Sequence, residues 1–103
     1  MPNPSQPTSI TKIYVNDIGV KIIVDCGINV SQTSGYKLIV KKPSGATVEW
    51  TATVENNNFL YYITGSGDLS ESGIYKLQSF TSVSGGRQYY GKTTEFRVYE
   101  LFE

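Results

Sequence analysis

The stretch Asp68-Leu69-Ser70-Glu71-Ser72-Gly73-Ile74-Tyr75-Lys76-Leu77 decides the fold of this 103-residue chain. Its first half completes a loop, Gly65 to Gly73, made of residues that favour turns over regular structure. The Asp-x-x-Glu spacing of Asp68 and Glu71 predicts a capping-box-like turn that tightens this loop before Gly73. Its second half opens Ile74 to Val83, a run rich in β-branched and aromatic residues with the character of a strand.

Working outward, the same alternation recurs on both sides. Ser9 to Val15 is followed by the turn Asn16-Asp17-Ile18-Gly19. Val20 to Ile28 then places Val20, Ile22, Val24, Cys26 and Ile28 on one face. After a polar loop, Tyr36 to Lys42 sets Tyr36, Leu38 and Val40 against Lys37 and Lys41. Pro43-Ser44-Gly45 is a tight turn, with Pro fixing φ and Gly supplying a positive one. Thr47 to Val54 alternates Val48, Trp50, Ala52 and Val54 with threonines and Glu49. Asn56-Asn57-Asn58 turns the chain into Phe59 to Thr64, and Ser84-Gly85-Gly86 turns Ile74 to Val83 into Arg87 to Tyr99. No helical period exceeds one turn. Seven strands at this spacing predict an all-β, seven-stranded antiparallel sandwich over residues 9–103.

The Asp68 to Leu77 segment resembles the tyrosine corner of immunoglobulin-like domains, with Tyr75 in the Tyr position. The resemblance implies that Leu77 stands where antibody domains carry their second Cys and Cys26 where they carry the first. The two would face each other as an apolar, disulfide-free core contact. Trp50 falls in the fourth strand rather than the third, so the match is to the broad sandwich class. A second resemblance spans roughly residues 13–99. The hairpin Ile39-Val40-Lys41-Lys42-Pro43-Ser44-Gly45-Ala46-Thr47-Val48-Glu49-Trp50 is similar to one in small domains of tailed-bacteriophage particles. So are Tyr62 to Thr64, Gly67 to Gln78 and the closing Phe96-Arg97-Val98-Tyr99. Such domains include baseplate upper-protein N-terminal segments and head-decoration proteins.

Bulk composition narrows the chemistry. Nine Lys and Arg balance nine Asp and Glu, so no basic excess exists to neutralise a nucleic-acid backbone. No apolar run approaches the roughly 20 residues that span a bilayer, and no secretory signal is visible. With one cysteine, Cys26, no disulfide forms within the chain, and stability must come from packing. Its place in an apolar strand face predicts a buried, inert thiol.

The absence of histidine removes Ser-His-Asp and Cys-His catalysis and every His-ligated metal site. Two carboxylate pairs, Asp68 with Glu71 and Glu49 with Glu95, are the remaining acid–base candidates, and nothing in the pattern places a cleft beside either. Gly65-Ser66-Gly67 lacks the following helix and the Lys-Ser/Thr pair of a phosphate loop. No cofactor, metal or catalytic residue is expected, and the chain reads as non-enzymatic.

Tyrosine and proline carry the binding expectations. In each of the pairs Tyr61-Tyr62 and Tyr89-Tyr90 one ring must face outward, and Tyr62 and Tyr90 are the partner-binding candidates. Residues 1–8 hold Pro2, Pro4 and Pro7 and form an extended arm expected to lie along a neighbouring protein. The phage-particle resemblance therefore implies a structural protein of a tailed-phage virion, assembled in the host cytoplasm as capsid decoration or as part of the tail or baseplate. Its partners would be the major capsid protein or a tail or baseplate protein, and possibly a second copy of itself. The alternative is an adhesion module that binds cell-surface glycans through exposed tyrosines. The Met1 start weighs against an accessory domain of a larger enzyme.

Overall fold

In the computed structural model the described residues are 12–103, so the arm carrying Pro2, Pro4 and Pro7 lies outside them. Nine strands follow in order: β1 (Ile13–Tyr14), β2 (Lys21–Asp25), β3 (Gly35–Lys41), β4 (Thr47–Trp50), β5 (Thr53–Glu55), β6 (Phe59–Ile63), β7 (Gly73–Val83), β8 (Arg87–Tyr90) and β9 (Thr94–Tyr99). They form two sheets. The larger has the order β1-β9-β7-β3-β4, with β8 also paired to β7; the smaller is β2-β6-β5. Among the described residues every pairing is antiparallel except β1 with β9. The architecture is an all-β sandwich without a disulfide.

Two runs that alternate as single strands are each broken in two. Thr47 to Val54 leaves the larger sheet after Trp50 and joins the smaller one at Thr53. The alternation survives because Trp50 and Ala52 bury on the same core while the backbone changes sheets. Arg87 to Tyr99 breaks between Tyr90 and Thr94. The predicted face of β2 also ends early. Ile22, Val24 and Cys26 are buried, but Ile28 is exposed, because the chain turns at Gly27 with φ +73°.

The core lies between the sheets. Leu38 and Val40 from β3, Tyr75 and Leu77 from β7, and Val98 from β9 meet Ile22, Val24 and Leu60 from the smaller sheet. Burying each such aliphatic side chain contributes about 1.5–3 kcal/mol. Leu69 from a loop and Val30 from the 3-10 turn Val30–Gln32 are also fully buried in this core. The β3–β4 hairpin docks on the 65–73 loop: a Cβ at Gly73, φ +123°, would meet Pro43 Cβ at 2.9 Å. At that contact Glu71 accepts hydrogen bonds from the Ser44 N–H at 2.9 Å and the Ser44 hydroxyl at 3.1 Å.

Candidate functional site

The length of β7 creates the site. Its eleven residues carry two successive partners along one side, β9 against Gly73–Leu77 and β8 against Phe80–Val83. The chain steps between them at Gly91. The Gly91 N–H donates to the Ser79 carbonyl at 2.9 Å, and the Gln78 side-chain amide donates to the Gly91 carbonyl at 3.0 Å. A Cβ on Gly91 would overlap Ser79 Oγ, so only glycine brings the backbone this close. The step leaves β8 as a short edge strand, exposed at all four residues.

Antiparallel ladders alternate between residues that bond the neighbour and residues that bond outward. Gly91 bonds Ser79, so Tyr89 and Arg87 also face β7, and the N–H and C=O of Gln88 and Tyr90 point away from it. Among the described residues no strand covers that side. Two rows of side chains flank the open edge. On one face Tyr36, Thr81 and Tyr89 stand directly opposite one another; on the other Lys37, Phe80 and Tyr90 do. Tyr90 is 64% exposed with its ring 5.2 Å from that of Phe80, whose other side faces the Lys37 ammonium. Tyr89 is 48% exposed, and beside it the buried Thr81 hydroxyl has no hydrogen-bond partner. The edge thus presents main-chain donors and acceptors between two tyrosine rings.

The other residues singled out from sequence are placed elsewhere. Tyr62 is the inward member of its pair, stacked on Trp50 at 4.5 Å, and its hydroxyl donates to Asp68 at 2.6 Å. That bond and burial push the Tyr62 pKa up to about 12. Tyr61 faces outward instead, under the Lys21 ammonium, so Tyr62 is corrected from a partner-binding to a core-edge residue. The parity follows from Leu60, fully buried two positions before Tyr62 and so on the same face of β6.

Tyr75 is fully buried, its ring stacked on Phe96 at 5.1 Å. Burial, opposed by a backbone bond at Glu71, raises its pKa. Cys26 is buried and its thiol pKa is raised, chiefly by burial. Cys26 lies in the same buried core as Leu77, and its thiol donates to the Val24 carbonyl at 3.8 Å.

The carboxylate pairs do not assemble. Asp68 accepts from Tyr62 and from the Gly65 N–H at 2.7 Å, while Glu71 turns to Ser44. The predicted reciprocal capping box is therefore absent; each acid ties down a different segment. Glu49 pairs with Lys37 at 2.8 Å on β4, and Glu95 stands on β9, with β3 and β7 between them.

No protein-family model and no curated protein sequence matches the chain. Among solved structures it is similar to CopC from Methylosinus trichosporium OB3b, with a TM-score of 0.57, 18% sequence identity, and coverage of 89% of this chain and 87% of that one. The match overturns the expectation of a tailed-phage structural protein, because the two-sheet arrangement is shared with CopC. The Pro43-Ser44-Gly45 hairpin and the Tyr75 loop are solutions to turning a strand and crossing between sheets, so they mark the sandwich and not a virion. At 18% identity this likeness shows the fold alone. The chain has no histidine, Cys26 is buried, and among the described residues no three of His, Cys, Asp or Glu gather.

Proposed function

We propose that this domain is a non-catalytic recognition module that captures an extended segment of a partner protein as an added strand beside β8. The observation that carries the reading is the exposed β8 edge, with Gln88 and Tyr90 directing main-chain groups outward between the rings of Tyr89 and Tyr90. Gln88 and Tyr90 each offer one N–H and one C=O. At about 0.5–1.5 kcal/mol per hydrogen bond, these contacts are comparable with the cost of ordering a short peptide. The rings must supply the surplus. Tyrosine does so efficiently, because it adds large contact area for two rotatable angles.

The test is selection of extended peptides from a displayed library against the full chain, followed by binding to variants. Gln88→Pro removes an outward N–H without breaking the β7 ladder, since proline is tolerated on an edge facing solvent. Gln88→Pro and Tyr90→Ala should each weaken the selected peptides by about tenfold or more. Peptides that bind both variants as tightly as the parent, with amide shifts confined to other surfaces, would overturn the reading.

A further inference from the structure

The smaller sheet has an open edge of its own. Among the described residues β2 pairs with β6 on one side and with no strand on the other. The Thr64 N–H donates to the Val20 carbonyl at 2.9 Å and the Cys26 N–H to the Asn58 carbonyl at 2.8 Å. The even-numbered residues therefore face β6, and the N–H and C=O of Lys21, Ile23 and Asp25 point to the open side. The same three residues carry their side chains on the outer face, where Ile23 is 46% exposed.

Around Ile23 the sequence Ile18-Gly19-Val20-Lys21-Ile22-Ile23-Val24-Asp25-Cys26-Gly27-Ile28 is a chemical palindrome. One step out stand Ile22 and Val24, both apolar and buried; two steps out stand Lys21 and Asp25, of opposite charge. Four steps out are Gly19 and Gly27, which turn the chain at φ +86° and +73°. Five steps out are Ile18 and Ile28, exposed by 66% and 41%. An antiparallel strand that matches such a segment is the segment itself.

We propose that the protein forms a two-fold dimer by antiparallel pairing of β2 with β2 of a second copy, centred on Ile23. Ile23 then faces Ile23, and Lys21 of each copy faces Asp25 of the other, so both charge pairs are satisfied by one symmetry operation. The outward N–H and C=O groups of all three residues find partners, and the two smaller sheets join into one continuous sheet. Ile18 of each copy comes to the level of Ile28 of the other. Lys21 at present reaches Glu55 at 2.7 Å, and this exposed pair is cheap to exchange. Asp25 uses one carboxylate oxygen, Oδ1, to accept the Gly27 N–H at 2.9 Å, and Oδ2 remains to meet the lysine. This surface lies in the other sheet from β8, and the two proposals stand or fall separately.

The test is sedimentation of the full chain and of two charge variants. The parent should dimerise reversibly at concentrations up to roughly 0.5 mM, the range for a small interface. Lys21→Glu places acid opposite acid, and Asp25→Lys places lysine opposite lysine. Each alone should weaken dimerisation by about tenfold or more, since like charges directly opposite are destabilising. Mixed in equal amounts, the two variants should form a heterodimer, because each then meets its complement. The double variant K21E/D25K should dimerise like the parent, and peptide capture at β8 should be unchanged throughout. A parent that stays monomeric over that range overturns the proposal. So do single variants that dimerise as the parent does, or a mixture that fails to recover.

Discussion

The Tyr75 hydroxyl and the Glu71 main chain hold each other in both directions: the hydroxyl donates to the Glu71 carbonyl at 2.9 Å and accepts from the Glu71 N–H at 3.2 Å. One fully buried side chain thereby satisfies both polar groups of a loop residue and pins the 65–73 loop to the start of β7. Because the Glu71 carboxylate also holds Ser44, the same residue ties the β3–β4 hairpin to this corner.

Tyr75→Phe keeps the ring stacked on Phe96 and removes only the hydroxyl. The loss leaves the Glu71 N–H and C=O without their partner, so unfolding free energy should fall by about 1–3 kcal/mol. Urea denaturation measures it. An unchanged midpoint would show that the corner adds nothing to stability.

Tyr62 predicts a pH dependence at the alkaline end. Its folded pKa is raised from the ordinary value near 10 to about 12, first by the bond to Asp68 and then by burial. The neutral phenol is therefore favoured by folding. The stability it supplies is complete below pH 10 and is lost as pH rises from about 10 to about 12. Tyr62→Phe should flatten the fall of melting temperature over that interval relative to the parent. Parallel curves for the two proteins would count against the Tyr62–Asp68 bond.

Gly91 predicts a suppressible steric defect. Gly91→Ala should destabilise the domain by about 1–3 kcal/mol, because the new methyl overlaps Ser79 Oγ. Ser79→Ala removes that oxygen, and the remaining Ser79 Cβ lies at an ordinary 3.5 Å. Gly91→Ala combined with Ser79→Ala should recover most of the loss relative to Ser79→Ala alone. Additive costs in the double-mutant cycle would place the strain elsewhere.

Cys26 predicts a reactivity difference between states. Its thiol is buried and its pKa is raised, chiefly by burial, so the thiolate is scarce in the native protein. Labelling with a thiol-specific disulfide reagent should be slow in buffer and fast in denaturant. Equal rates would mean that β2 is not seated on the core.

Local chemistry made the strands legible in the sequence. The alternation of Val20, Ile22, Val24 and Cys26 names the buried face of β2 because successive side chains in a strand point to opposite sides. Pro43 and Gly45, with φ of +97° at the glycine, specify a turn through their own backbone limits. Asn56 and Asn57, both at positive φ, do the same between β5 and β6. The tertiary structure alone decided what depends on partners far along the chain. Which of Tyr61 and Tyr62 faces the core rests on the pairing of β6 with β2. The destination of Glu71 rests on a hairpin 27 residues away. The palindrome around Ile23 stands in the sequence for anyone to read, but whether Lys21, Ile23 and Asp25 have main-chain groups to offer depends on which strand lies beside β2. Periodicity is a property of one segment, whereas an open edge is a property of the sheet, and only folding assembles the sheet.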